Sequence, residues 1–194
     1  MKKTFILILF IYTAISFATG QNTFNDRLSK ASIELTNQNV GYDPGYFIIP
    51  YPNGDVPADK GVCTDVVIRA YRKTGIDLQK EVHEDMKNNF DLYPKNWGLS
   101  RPDKNIDHRR VPNLMVFFAR YGKVKAITTK PEDYVSGDIV CWNLGGGTTH
   151  IGIVVNLKSK DGNRNMIVHN IGGGQVLEDC LFDYKIIGHY SYEK

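Results

Sequence analysis

The sequence predicts an α+β fold, with helices packed on a small antiparallel sheet or half-barrel. Helical periodicity is confined to the chain before about residue 122, and strand-like apolar segments separated by turn sequences fill the rest. The length of 194 residues suits one domain with one core after a short leader. We therefore expect helices first and a meander of short strands afterwards.

The first twenty residues have the composition of a secretory signal peptide. Lys2 and Lys3 form a positive region, and an almost unbroken apolar run over 5–17 leads to small residues at cleavage spacing. The run is shorter than the roughly 20 residues that span a bilayer, which argues against the alternative of a permanent anchor. The sequence thus predicts a signal peptide at 1–20 and a single domain at 21–194. The protein is expected to be exported, periplasmic or secreted, without stable membrane insertion after cleavage.

Charge and cysteine content exclude two other classes of protein. The net charge of +3 and pI near 8.6 are far from the concentrated basic surface of a nucleic-acid binder, so no nucleic-acid partner is expected. Three cysteines are too few for a disulfide framework. Cys141 and Cys180 lie in apolar surroundings and are expected to be two buried thiols rather than a bridge. Nothing in the sequence indicates the oligomeric state.

Four segments have apolar residues at helical spacing, namely 23–38, 63–74, 81–90 and 112–121. The second begins at Cys63 and has Gly75 as its C-cap. The first loop is expected to contain one short extended piece at Tyr46–Ile49, and the irregular stretch 91–110 is long enough to be functional or disordered. Four strands follow, at 138–144, 150–157, 165–171 and 184–192, and the segments between them, including 172–180, have turn composition.

Cys63 is the candidate nucleophile. A thiol attacks as the thiolate, and a helix N-terminus or an adjacent imidazole lowers its pKa. Cys63 follows a Gly-Val pair and opens a helix, so the first-turn amides should point at its sulfur. The alternative, a small buried hydrophobic residue, is less consistent with the polar Thr64 and Asp65 that follow.

His150 is the candidate base, at the start of a strand in which Gly152 lies on the same face. Because Gly152 has no side chain, another element can approach the sheet closely beside His150. We expect this element to be the helix that begins at Cys63. If the next strand pairs antiparallel, His169 can accept the His150 ring N–H and orient the ring. Asn170 would take this role in the opposite register.

These residues together resemble the NlpC-like branch of the papain-fold peptidases. That branch has a Cys opening a helix (GVCTDVVIRAYRKTG), a Gly-Asp-apolar strand (SGDIVCWNL), a His-x-Gly-apolar strand (HIGIVV) and a polar residue on the next strand (IVHN). More narrowly, YDPGY, YPNGDVPADKGVCTDVVIRAYR and DHRRVPNL look like the bacterial domain-of-unknown-function family numbered 1287. The resemblance implies a papain-like NlpC-type fold and a cysteine hydrolase that cleaves an amide bond in a peptide or peptidoglycan-like substrate.

By the same resemblance, Cys63 is the nucleophile, His150 the base and His169 the orienting residue. The oxyanion would be bound by the Cys63 backbone N–H and by a loop tyrosine, either Tyr42 or Tyr51. Relatives usually have Ser-Gly after the nucleophile, whereas Thr64-Asp65 stand here, which puts the inherited substrate preference in doubt.

Three residues are candidates for substrate contacts, namely Asp65, Arg110 and Tyr42. Asp65 has a structural alternative, pairing with Arg69 four residues on. Arg110, like its neighbour Arg109, could bind a substrate carboxylate through two parallel hydrogen bonds. The alternative is an ion pair with a nearby aspartate.

No cofactor or metal is expected. Zinc bound by Cys63, His150 and His169 is an alternative, but the closely spaced ligand pairs of zinc sites are absent from the sequence. Acyl transfer to an acceptor other than water, or an inactive binding module on the same fold, remain the alternatives to hydrolysis.

Overall fold

The structure is a computed structural model and describes residues 23–194. The predicted signal peptide at 1–20 lies outside the described residues. Among residues 23–194, no helix is long and apolar enough to cross a membrane.

Four α-helices of the described chain lie where the sequence predicts them. They are α1 (Phe24–Leu35), α2 (Cys63–Lys73), α3 (Leu78–Asn89) and α4 (Val111–Tyr121). Local signals set their ends: the Thr23 hydroxyl accepts from the Asp26 amide at the start of α1, and Pro112 stands in the first turn of α4. Helix α3 begins three residues earlier than predicted because the Asp77 carboxylate caps the Lys80 amide.

A six-stranded antiparallel sheet occupies the C-terminal part of the described chain, with the order β3-β8-β4-β5-β6-β7. Its strands are β3 (Lys123–Val124), β4 (Ile139–Gly145), β5 (Thr148–Lys158), β6 (Asn165–His169), β7 (Val176–Glu178) and β8 (Lys185–Ser191). Two further short strands, β1 (Gly41–Tyr42) and β2 (Lys60–Gly61), pair in parallel just before α2. The predicted α+β class is therefore confirmed.

Two local predictions are wrong. Tyr46–Ile49 forms no strand, and the loop instead pairs through β1 and β2. The segment 172–180 is not only a turn, because Val176–Glu178 pairs with β6 as strand β7. Strands of two or three residues are too short to show an alternating pattern, so only tertiary pairing reveals them.

The sheet separates two apolar clusters. On one face, Ile151, Ile153 and Val155 of β5 pack with Cys63 and the apolar residues of α1, α2 and α4. On the other face, a smaller cluster is formed by Tyr134, Val140, Trp142, Val154, Ile167, Cys180 and Leu181. Cys141 belongs to the first cluster and Cys180 to the second, so the sheet keeps the two sulfurs apart. All three cysteines are free and buried, which confirms the prediction of buried thiols.

The close approach at Gly152 differs from the one expected. A Cβ on Gly152 would lie 2.7 Å from Ile167 Cγ2 and 3.2 Å from His169 Cβ. The neighbour that needs this glycine is therefore strand β6, and not the helix of Cys63. A side chain at position 152 would therefore collide with the side chains of Ile167 and His169 on β6.

Helix α2 also holds the loop that precedes it. Arg69 donates from Nε to the Asp55 carboxylate and from Nη2 to the Lys60 carbonyl at 2.8 Å, and Arg72 binds the same carboxylate at 2.8 Å. The expected pair between Asp65 and Arg69 is wrong, because Arg69 is directed at Asp55 on the loop. These bonds attach the Gly- and Pro-rich segment to the helix that begins at Cys63.

Candidate active site

Cys63 is the first residue of α2, and the extended Val62 before it is the N-cap. The thiol is 6% exposed and borders a cleft of about 420 Å³. The backbone N–H groups of Ile151, Thr64 and Cys63 itself are directed at the sulfur and lower its pKa. A sulfur at a helix N-terminus beside a cleft, with three amide donors, is placed as the sequence predicts for a nucleophile.

The effect of burial on the pKa of the Cys63 thiol is larger than the effect of these amide donors. Desolvation, with a smaller contribution from the negative charge of Asp65, raises the pKa of the Cys63 thiol to about 12. The expectation that the Cys63 pKa is depressed is therefore wrong, although the amides at the helix N-terminus do lower it. The protonated thiol is the resting form of Cys63, and a base must remove its proton when it reacts.

The structure brings the two candidate histidines together. His150 Nε2 lies 2.8 Å from His169 Nδ1, and both side chains are buried. His169 Nε2 in turn lies 2.9 Å from Glu178 Oε2 on strand β7. The indole ring of Trp142, 5.6 Å from the His150 ring between centroids, packs beside it and is itself held by a bond to the Leu181 carbonyl.

This chain of hydrogen bonds determines the tautomers. Burial lowers the pKa of His150 to about 3, with a further contribution from His169, and burial also lowers the pKa of His169, so both rings are neutral. A carboxylate such as that of Glu178 accepts hydrogen bonds, so His169 must donate from Nε2. His169 Nδ1 is then an acceptor, which requires the proton of His150 to be on Nε2. The lone pair of His150 is left on Nδ1 and can take a proton.

Cys63 and His150 are linked through Ile151, and not by a bond between their own side chains. In the described chain, no hydrogen bond joins the Cys63 sulfur to the His150 ring, although the amide of Ile151, the next residue, is directed at that sulfur. The strand pattern explains this arrangement, because Ile151 faces the cluster of Cys63 while His150 packs on Trp142. A separation of about 4 Å between the Cys63 sulfur and a ring nitrogen of His150, as a catalytic pair requires, stays a prediction.

Asn170 does not take the orienting role. Its Nδ2 donates to the Gly61 carbonyl at 3.3 Å, and its Oδ1 accepts from the Gly172 amide. Asn170 therefore holds the backbone just before Cys63, while His169 is the partner of His150.

The structure also separates the two candidate tyrosines. Tyr42 lines the cleft with Cys63, and burial together with the nearby Cys63 and Asp65 raises the pKa of its hydroxyl. Tyr42 is thus a protonated hydrogen-bond donor beside the thiol. Tyr51 packs on His83, with 5.2 Å between ring centroids, and does not line this cleft.

Arg110 lines the same cleft as Cys63 and Tyr42. Its guanidinium lies 4.0 Å from the centroid of Trp97, which is 41% exposed, and 3.7 Å from the Asp107 carboxylate. Burial lowers the pKa of Arg110, but it remains a cation. A cation over an aromatic ring, with its nearest carboxylate at 3.7 Å, can bind a carboxylate of a ligand.

Asp65 is not available to a substrate. Its carboxylate accepts a hydrogen bond from the Val62 amide at 2.7 Å and forms a bidentate ion pair with the Arg109 guanidinium, at 2.9 and 3.0 Å. Arg109 also donates to the Gly45 carbonyl, and the Thr64 hydroxyl donates to the Arg109 carbonyl. Thr64 and Asp65 thus tie two cleft loops to the start of α2, and the Asp65 carboxylate supports the cleft from below.

Glu178 is the residue that the sequence analysis missed. It lies in a segment interpreted as a turn, and its strand has three residues. The one signal was its place two residues after Val176, which would put both residues on one face if the segment formed a strand. Without the β6–β7 register, that signal does not connect it with His169.

The fold and the site define an α+β protein with a buried cysteine at a helix N-terminus beside a pair of hydrogen-bonded histidines. The chain belongs to the family described as "Domain of unknown function (DUF1287)", which matches residues 29–192. It is similar to the uncharacterized protein YijF of Escherichia coli (strain K12), with 53% identity over 151 residues that cover 78% of this chain and 73% of that protein. No solved structure matches the chain.

Proposed function

We propose that the protein is an exported cysteine hydrolase, with a papain-like NlpC-type fold, that cleaves an amide bond in a cell-wall peptide. The observation that carries the proposal is the chain of hydrogen bonds from His150 through His169 to Glu178, on strands next to a cysteine at a helix N-terminus. This chain leaves a free lone pair on His150 Nδ1, which is what a general base needs. The signal-peptide composition of residues 1–20 supports the proposal of export.

The proposed reaction starts from a neutral thiol and a neutral imidazole. The Cys63 sulfur attacks the carbonyl carbon while its proton moves to His150 Nδ1. The Cys63 backbone N–H and the Tyr42 hydroxyl stabilise the oxyanion. His150 then returns the proton to the leaving amine as the C–N bond breaks, which leaves a thioester on Cys63. Water attacks the thioester with His150 as base, and the acid product and free thiol are regenerated.

His169 and Glu178 are positioning residues in this scheme. They touch no reacting atom, but their bonds hold the proton of His150 on Nε2 and keep Nδ1 free. Arg110 on Trp97 supports a substrate with a carboxylate near the scissile bond, as in peptides that carry free acid groups. We propose no nucleic-acid partner and no stable membrane insertion after cleavage of the signal peptide.

The test is digestion of purified peptidoglycan by the mature protein, with fragments identified by mass spectrometry. The proposal predicts new peptide termini with the wild type, none with Cys63→Ala, and unchanged fragments with His83→Ala, a histidine outside the cleft. Products in which an added amine replaces water would show acyl transfer by the same residues. Binding without any product, equally strong in Cys63→Ala, would show an inactive binding module and reject the proposal.

A further inference from the structure

Behind the histidine pair, three potential metal ligands converge. Within residues 23–194, one group of three metal-ligating side chains has its ligand atoms within 4.8 Å of one another: His169, Glu178 and Cys180. The Cys180 sulfur lies 3.5 Å from His169 Nε2, and Glu178 Oε2 lies 2.9 Å from the same nitrogen. Cys63 is not a member of this group, which therefore differs from the zinc arrangement considered from the sequence.

The separations fit a tetrahedral ion. Zinc bonds of about 2.0–2.1 Å to nitrogen and 2.3 Å to sulfur place the two atoms roughly 3.5 Å apart at a tetrahedral angle. Glu178 is closer to His169 than a shared ion allows, but its side chain is 51% exposed and can move outward. His169 and Cys180 are 1% and 6% exposed, so they form a rigid pair that a mobile carboxylate completes.

The surrounding charge favours a cation. The carboxylates of Glu178, Asp179 and Asp183 all act on the Cys180 thiol, and those of Glu178 and Asp183 also act on His169. Arg164 neutralises the charge of Asp179 through a bidentate ion pair in which both N–O distances are 2.6 Å. Two carboxylates near the cluster remain to attract a divalent ion.

We propose that His169, Glu178 and Cys180 form a Zn²⁺ site that switches off the His150 base without contact to Cys63. Imidazole, thiolate and carboxylate together are a donor set that zinc prefers. Zn²⁺ displaces the thiol proton of Cys180 and takes the lone pair at His169 Nε2. The proton of neutral His169 must then be on Nδ1, from which it donates to His150 Nε2. The proton of His150 moves to Nδ1, so the lone pair that served as base is lost.

Proton balance follows from this scheme. Both imidazoles stay neutral and only change tautomer, so the net release is about one proton per metal ion, from Cys180. The metal site is proposed independently of the proposed function. Its effect on His150, in contrast, rests on the proposed function, in which His150 is the general base. The two parts need separate measurements.

Metal binding is tested with Co²⁺ and Zn²⁺ on the mature protein freed of metal by chelation. Wild type and Cys63→Ser should show a thiolate-to-cobalt absorption band that Zn²⁺ displaces, and Cys180→Ser should lack it. Glu178→Gln, a change at an exposed side chain, should weaken Zn²⁺ binding by roughly 10–100-fold or more. No band in the wild type, or a band that persists in Cys180→Ser and disappears in Cys63→Ser, would reject the site.

The effect on the base is tested by alkylation of Cys63, which needs no substrate. Zn²⁺ should slow alkylation at least tenfold in the wild type, as expected when a general base is lost, and leave the rate in Cys180→Ser unchanged. An equal slowing in both proteins would mean that zinc binds at Cys63 itself and would reject the switch. If the cobalt band behaves as expected but peptidoglycan is not cleaved, the metal site is retained and the proposed function fails.

Discussion

His150 Nε2 and His169 Nδ1 are 2.8 Å apart, although 19 positions separate the two residues in the chain. The contact joins neighbouring strands β5 and β6, which pair through Ile153↔Val168 and Val154↔Ile167. Glu178 on β7 extends the chain of hydrogen bonds by one more strand. Three adjacent strands thus contribute one group each to a line of proton donors and acceptors.

The first prediction concerns the histidines. His150→Ala should lower turnover by roughly 10²–10⁴-fold or more, because a positioned general base contributes that much. His169→Ala should cost less, since His169 only orients the ring, and His169→Asn should recover part of that loss. Turnover, melting temperature and metal content are measured on each variant. Undiminished turnover in His150→Ala would end the proposed mechanism.

The second prediction concerns the thiols. Iodoacetamide should modify Cys63 before Cys141 and Cys180, because Cys63 alone of the three borders the cleft of Tyr42 and Arg110. With its pKa raised to about 12 by burial, the rate should keep rising above pH 8 and not level off below it. Peptide mass spectrometry of the native protein gives the order and the pH profile. A plateau below pH 8 would instead indicate a thiolate at rest.

The third prediction separates the two tyrosines. Tyr42→Phe should lower kcat by about 10²–10³-fold, the usual cost of one oxyanion donor. Tyr51→Phe, a matched loss of a hydroxyl outside the cleft, should leave kcat close to that of the wild type. Equal losses in both variants, or a loss in Tyr51→Phe alone, would remove Tyr42 from the oxyanion site.

The fourth prediction concerns the buried ion pair beneath the cleft. The Asp65 and Arg109 side chains are 3% and 1% exposed, so Asp65→Asn leaves a buried cation with reduced compensation. Unfolding free energy in urea should fall by about 3–5 kcal/mol. The exposed pair of Lys80 and Glu84 is the control, and Glu84→Gln should change stability by less than about 1 kcal/mol. Similar small losses of unfolding free energy in both variants would contradict a structural role for the Asp65–Arg109 ion pair beneath the cleft.

The fifth prediction concerns pH and stability. His108 is buried, its Nδ1 has no hydrogen-bond partner, and burial lowers its pKa to about 3. A folded pKa below the unfolded value means that the unfolded chain binds the proton first. Stability should therefore fall as pH drops from about 6.5 towards 3, by up to about 1.4 kcal/mol per pH unit from this residue. His108→Gln should flatten the profile in that window, and parallel profiles would show that His108 titrates normally.

Much of the architecture was determined by the sequence itself, because its signals are local. The helix starting at Cys63 follows from a change of periodicity at one position, and the four longer strands follow from apolar segments between turns. The assumption that consecutive strands are neighbours was enough to bring His150 near the His169-Asn170 pair, and the strand register then selected His169. These inferences depend on residues within one helix or one hairpin.

Tertiary structure decided which residues contact each other across the sheet and between loops. The link from His169 to Glu178 depends on a three-residue strand, and the pair of Asp65 with Arg109 spans 44 positions of sequence. The raised pKa of Cys63 results from burial, which no local pattern at the helix N-terminus reveals. Periodicity and capping act over a few residues, whereas burial, register and choice of ion-pair partner depend on how distant segments pack. The sequence alone therefore determined where the cysteine and histidines stand in their elements, and packing decided their protonation and their partners.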